Sequence, residues 1–395
     1  MKYNFDRIID RSNTHALKVD LLPKSAPEDA LSLWVADMDF PCAQPILEAL
    51  HQRVNRQIFG YTMYDNDRLK NAVYQWFHKR FAWDIDKSWI FFSPGVVPAI
   101  SFLINILTEE NDGVIIQRPV YYPFTSSIEA NRRKVVNSPL LRTEDSYIMD
   151  YEDLERKFAD PIVKGMILCS PHNPVGRVWT EEELKQLVEI AARYDKWIIA
   201  DEIHCDLTRK GIIHHPLLKV APEYQERIIT CTAPSKTFNL AGMQLSNIII
   251  PNQEYQKLWK EFTGDRMHIS ICNPFGLEAV VAAYTEGEEW LEQVLTYLDG
   301  NIKFAEDFIK EHLPEAQVIR CEGTYLLWID VRNYCNDASR LKQIILQAGL
   351  VLDEGYIFGI EGSGYERINI ATPRANIEEC MLRLKKGLHF PLSNL

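Results

Sequence analysis

The sequence predicts an α/β protein: a large unit on a mostly parallel sheet flanked by helices, then a smaller α+β unit. Three observations lead there. Short apolar runs bounded by turn residues recur at Ile90–Phe92, Gly113–Gln117, Met166–Ser170, Trp197–Asp201, Ile228–Thr232 and Asn247–Ile250, each reading as a buried strand. Helical patterns separate these runs, and strands alternating with helices favour parallel pairing. Near Glu286 the texture changes, with one long helical pattern followed by two isolated strand patterns.

Taken in order, residues 1–45 read as an N-terminal arm or a segment of the smaller unit, since WVADMDFPC runs into a helix from about Gln44. Residues 46–285 read as the large unit. Within it, Thr180-Glu181-Glu182-Glu183 is a capping-box pattern that opens a helix with Leu184, Leu187, Val188 and Ala191 on one face. Residues 286–395 read as the smaller unit: EEWLEQVLTYLDGNIKFAEDFIKEHL as a helix, TYLLWIDV as a strand, SRLKQIILQAGL as a helix, RINIA as a strand, then a last helix.

Composition narrows the function. The chain has 395 residues and a net charge of −12, which argues against nucleic acid or an anionic membrane as the main partner. No apolar run is long enough to span a bilayer, and MKYNFDRIIDRSNTHALK lacks a signal-peptide core. Eight scattered cysteines form no CxxC pair, so reduced thiols and a cytoplasmic location are expected.

In a parallel α/β sheet, ligands bind beyond the carboxyl ends of the strands. Candidate residues cluster at those ends. Lys236 is the only Asp, Glu, Lys or Arg between Ile228 and Ile250, in a chain that is 25% charged. A buried ammonium is costly, and a desolvated lysine is the type that forms Schiff bases with carbonyl compounds. The plainer alternative is a lysine whose head snorkels to water. Asp201 ends an apolar strand, where it is either a helix cap or a carboxylate held for a cationic heteroatom. Gly95, Val96 and Val97 form a glycine turn at a helix start, an anion site by geometry but also a common strand–helix turn. Tyr121, in RPVYYP, is either a packed loop aromatic or a ring that stacks on a planar ligand. Asn173 sits in SPHNPVG, where prolines and a glycine would fix its amide, although an ordinary turn has the same composition. His204 lies among Asp201, Glu202, Cys205 and Asp206, yet no second histidine or cysteine pair has ligand spacing, so a local hydrogen bond is expected and no metal. His214-His215 reads as exposed loop. No GxSxG, P-loop or GxGxxG motif is present.

The order of glycine turn, Pro-x-Tyr, Asn-Pro-x-Gly, strand-Asp, Ser-Lys and late Arg resembles the fold type I pyridoxal-5′-phosphate (PLP) enzymes, the aspartate-aminotransferase-like superfamily, over essentially the whole chain. WVADMDFP, FGYT, PVYYPF, SPHNPVGRVW, DEIHCDL, APSKTFNLAG and RINIATPR resemble its cystathionine β-lyase / cysteine-S-conjugate β-lyase branch. The resemblance implies a PLP-dependent transferase fold and a role for each residue. Lys236 would bond covalently to pyridoxal 5′-phosphate. Asp201 would pair with the cofactor's ring nitrogen and Tyr121 would stack on the ring. Asn173 would bind the phenolic oxygen and also contact the substrate, with His204 beside it. The amides of Val96 and Val97, after Gly95, would hold the phosphate with Ser235. Arg367 would grip the substrate α-carboxylate, with Arg374 as its rival. Tyr61 would reach a neighbouring subunit's cofactor and substrate, which implies a homodimer with shared sites.

Three positions depart from the wider family. Gln244 stands where many relatives carry an arginine for the phosphate, Ala233 where many carry serine, and His204 where tyrosine is common. The implied reaction is α,β-elimination from L-cystathionine or a related cysteine S-conjugate, giving a thiol, pyruvate and ammonia. Lys236 and Tyr121 both stay open as proton donors to sulfur. A class I/II aminotransferase needs the same lysine, aspartate and arginine, and is the runner-up. Some members of the lyase branch also act on transcription regulators, which is a further implied role.

Overall fold

The computed structural model describes residues 3–389. Its largest sheet has seven strands: β1 (Ile90–Ser93), β2 (Gly113–Ile116), β3 (Lys134–Asn137), β4 (Val163–Cys169), β5 (Trp197–Asp201), β6 (Ile228–Thr232) and β7 (Ser246–Ile249). They lie in the order β1-β7-β6-β5-β4-β2-β3. β7 alone runs opposite to the other six. The carboxyl ends of the other six therefore share one edge.

The inner strands β2, β5 and β6 are buried throughout and mostly apolar because helices cover both faces of the sheet. Packing between β4 and β5 leaves no room for a side chain at Gly165, where an added Cβ would sit 2.2 Å from the Trp197 ring. The edge strand β3 was not among the sequence expectations. Its residues, Lys134-Val135-Val136-Asn137, are partly exposed, so no continuous apolar run marks it.

The expected capping box is formed: the Thr180 side chain accepts from the Glu183 N–H, and Glu183 accepts from the Thr180 N–H, at the start of the helix Glu181–Arg193. Such a cap contributes about 1 kcal/mol.

After the helix Glu288–His312 comes a second sheet of four antiparallel strands: β8 (Gln317–Val318), β9 (Leu326–Asp330), β10 (Asp353–Glu354) and β11 (Tyr365–Asn369), in the order β8-β9-β11-β10. The helices Ala338–Gln347 and Arg374–Leu388 accompany it. Leu31–Ser32 pairs in parallel with Leu350–Val351 in a separate two-stranded sheet, and the Asn369 N–H at the end of β11 donates to the Leu33 carbonyl at 2.9 Å, so the N-terminal segment is tied to the C-terminal part of the chain. It then crosses the carboxyl edge of the large sheet on its way to the helix Gln44–Asn55.

One sequence expectation is corrected here. His214 is buried, with its Nε2 3.1 Å from a Glu202 carboxylate and its ring against Phe81. Two adjacent histidines read as polar loop, but the long-range Glu202 partner allows His214 to be buried. His215 is partly exposed.

Candidate active site

A cavity of about 230 Å³ opens at the carboxyl edge of the large sheet. The ends of five strands deliver a side chain or an amide into it. Beyond β1, Gly95 adopts extended backbone and caps the helix Val96–Leu107. The first-turn amides of a helix have no intrahelical partner, so Val96 and Val97 present two N–H donors to the cavity. Beyond β2, Tyr121 enters the lining, and its N–H donates to the Asn173 carbonyl at 3.0 Å. Beyond β4 comes Asn173, whose Oδ1 accepts from Arg367 Nη1 at 2.9 Å. Its Nδ2 makes no hydrogen bond to the described residues, which leaves that donor for a ligand.

At the end of β5, Asp201 is 4% exposed. One donor reaches its carboxylate, the Ile203 N–H at 3.1 Å. Burial raises its pKa to about 7, with Lys236 opposing the rise. A buried carboxylate with so few donors calls for a cationic partner. Nearby His204 is held well below the usual imidazole range, first by burial and then by Lys236 and Arg367. Its Nδ1 is buried with no partner among the described residues, and its ring meets Tyr325 edge-on at 5.8 Å.

Beyond β6, Ser235 and Lys236 complete the floor. Burial and the nearby Arg367 push the Lys236 amine down to about 8. The residue is partly buried, and its head lies in the cavity lining. Its Nζ donates to the Ala36 carbonyl at 2.7 Å, and Tyr325 donates its hydroxyl to the same oxygen at 2.8 Å. Burial holds the Tyr121 hydroxyl protonated far beyond the usual phenol range. Gln244, the departure from the family's arginine, also lines the cavity, in left-handed backbone (φ 51°).

Arg367 stands behind Asn173 on β11. It donates to the Trp34 carbonyl at 2.9 Å, pairs with Asp353, and lies 4.8 Å from the centre of the Phe358 ring. Arg374 does not reach this site. Its Nε donates to Asn301 at 2.8 Å, its guanidinium covers Phe304, and it borders a different cavity with Tyr297. Tyr61 is also outside the cavity, 94% exposed on a segment with Ile58, Phe59 and Met63. No cluster of three or more metal-ligating side chains occurs among the described residues.

The sequence did not single out the Ala36 carbonyl, Tyr325 or Asp353. The first two lie in WVADMDFP and GTYLLW, but their local composition reads as packing. Asp353 reads as a turn acid beside Gly355.

The aminotransferase class I and II family model matches residues 28–384. The cystathionine beta-lyase PatB of Bacillus subtilis is 38% identical over 98% of this chain and its own full length. A PLP-bound structure from Clostridium difficile 630, provisionally described as an aminotransferase, is 44% identical, covering 98% of this chain and 100% of that one, with a TM-score of 0.95. The PLP-bound C-S lyase from Staphylococcus hominis is 36% identical over 98% of this chain and 99% of its own, with a TM-score of 0.93. With that match and those relatives behind the geometry, the chain belongs to the class I and II aminotransferase family.

Proposed function

We propose that the chain is a PLP-dependent carbon–sulfur lyase acting by α,β-elimination on L-cystathionine or a related cysteine S-conjugate. The observation that carries this reading is Lys236, its amine pushed down to about 8, lining one cavity with a buried, under-partnered Asp201. The relatives' lyase chemistry supports it.

The residues present fit the cofactor. The Val96 and Val97 amides with Ser235 would take its phosphate, and Gln244 would contribute neutral polar contacts where an arginine is common. Asp201 would take the ring nitrogen. Asn173 Nδ2 would donate to the phenolic oxygen, with His204 beside it. Tyr121 would cover the ring and Lys236 would bond to the aldehyde carbon. When bound, pyridoxal 5′-phosphate supplies that aldehyde and a ring that withdraws electrons from the substrate Cα.

The chain's own residues would do the rest. Arg367 grips the α-carboxylate and fixes Cα over the floor of the cavity. Lys236, with its lowered pKa, is neutral often enough near neutral pH to take the Cα proton onto Nζ. Asp201 would be held as the carboxylate by the cationic ring nitrogen it pairs with. The Cβ–S bond breaks with the electron pair leaving on sulfur, and a proton from Lys236 or Tyr121 completes the thiol. Water enters the three-carbon fragment, so cystathionine and water give homocysteine, pyruvate and ammonia.

The substrate lies between the large unit (residues 46–285) and the small one (residues 286–395 with segment 1–45). The exposed apolar stretch of Ile58, Phe59, Tyr61 and Met63 supports a homodimer in which Tyr61 serves the partner's site. Eight free cysteines favour a reducing compartment, the cytoplasm.

The test is incubation of purified, cofactor-loaded protein with L-cystathionine. Pyruvate and free thiol are expected in equal amounts. The likeness to the Clostridium difficile structure favours a second reading, an aminotransferase. A keto acid formed only when an amino acceptor is supplied, with no thiol, would replace the first reading by the second.

A further inference from the structure

The Arg367 guanidinium has five N–H donors, and its fork is already in use. Nη2 spends both of its hydrogens, one on the Trp34 carbonyl at 2.9 Å and one on the Asp353 carboxylate. Nη1 gives one to Asn173 Oδ1 at 2.9 Å. Nε is buried with no partner among the described residues. A carboxylate held by two parallel hydrogen bonds uses Nη2 together with either Nη1 or Nε. Both grips require Nη2, so an incoming carboxylate must evict Trp34 or Asp353. The Asp353 contact is built into the fold, because the ladder of β10 with β11 sets Asp353 directly opposite Arg367.

Either eviction bears on Asp353. If the Trp34 carbonyl leaves, two carboxylates share one nitrogen. If Asp353 leaves, a carboxylate that is 7% exposed loses the cation it pairs with. Protonation of Asp353 relieves both situations. Its other neighbours do not replace Arg367. Glu354 follows it on β10, Glu366 lies beside Arg367 on β11, and Tyr121 and Tyr122 face it from the loop after β2. Lys342, from the helix Ala338–Gln347, is paired with Glu354 at 2.9 Å. A second cavity of about 380 Å³, bordered by Asp353, Trp34, Tyr122 and Lys342, gives solvent protons a way in.

We infer that Asp353 is a resident carboxylate on the substrate fork, and that a carboxylate ligand binds at Arg367 with uptake of one solvent proton at Asp353. This rests on the reading that Arg367 takes the substrate α-carboxylate. Asp353 acts through Arg367 as a positioning residue. No other bond changes.

The sign follows from linkage. Binding raises the pKa of Asp353, because the carboxylate loses its cation or gains an anion beside it. Affinity is therefore greatest at low pH. It falls by up to about tenfold per pH unit as pH rises from the pKa of the free state towards that of the complex.

Titration calorimetry of the cofactor-loaded protein with 3-(methylthio)propionate tests this, since that ligand carries the carboxylate and sulfur but no amine. Runs in buffers of different ionisation enthalpy count protons. Net uptake is expected in the wild type, with affinity falling as pH rises. In Asp353→Asn the uptake should vanish, affinity should become flat with pH, and binding should be as tight as in the wild type or tighter. Binding to the wild type without proton uptake overturns the inference, and that count needs no variant to fold. Uptake that survives in Asp353→Asn overturns it too. Pyruvate release from cystathionine, measured on the same preparation, tells failure of this inference apart from failure of the lyase reading.

Discussion

The molecule buries charge in two neighbouring places and treats it in opposite ways. Around Lys236 and Asp201 the charged groups have few partners: one carbonyl for the amine and one N–H for the carboxylate. Around Arg367 the partners are plentiful: Asn173, the Trp34 carbonyl, Asp353 and the face of Phe358. Burial without partners moves pKa values towards neutrality, as it does for Lys236 and Asp201. Burial with partners holds a guanidinium rigid. The first region is thus suited to moving protons during the reaction and the second to gripping an anion, with a proton taken up at Asp353 only as that anion binds. The difference shows which half of the cleft a ligand must complete.

The largest effect that can break this comparison is at Lys236. Lys236→Ala should lower turnover by roughly a thousandfold or more, because it removes both the covalent anchor and the base. Fold should survive, since the side chain makes one hydrogen bond, to Ala36. Borohydride treatment of the loaded wild type should fix the cofactor to the peptide containing Lys236, and should fix none in the variant. Retained turnover would move the reactive amine elsewhere.

A smaller effect sharpens the contrast through pH. Only the neutral amine attacks an aldehyde, and burial lowers the Lys236 pKa to about 8. Covalent capture of added pyridoxal phosphate by cofactor-free protein should therefore rise about tenfold per pH unit below about 8 and level off above it. The visible band of the bound cofactor reports the rate. A plateau reached only near the ordinary lysine range would show that burial does not govern this amine.

How much of this was legible depends on distance along the chain. Lys236, Asp201, Asn173, Tyr121 and the Gly95 turn each follow an apolar strand, and strand ends can be read locally. The seven-stranded sheet also announced itself through apolar runs, except at the half-exposed edge strand Lys134–Asn137. Partner choice was not legible. The bond from Lys236 to Ala36 spans 200 residues and that from Arg367 to Asn173 spans 194. Arg367 and Arg374 share the stretch RINIATPR, and only the fold separates them: one lies within a strand facing Asn173, the other begins a helix beside Asn301. His214 shows the same limit, since its burial depends on Glu202.

The smallest effect lies where the two regions touch. The Ala36 carbonyl accepts from Lys236 and from Tyr325, and Tyr325 also backs His204. Tyr325→Phe keeps the ring and removes one hydrogen bond, leaving Lys236 as the remaining side-chain donor to that oxygen. The cost should be about 1 kcal/mol, read as a fall in Tm of roughly 2 °C or less. The amine gains a slightly better acceptor, so its pKa should rise and the capture profile should move to higher pH, with turnover near neutrality falling less than about fivefold. If turnover instead collapsed as it does in Lys236→Ala, Tyr325 would belong among the proton-moving groups. The boundary between the mobile-proton region and the rigid anion fork would then have to be drawn on the other side of the Ala36 carbonyl.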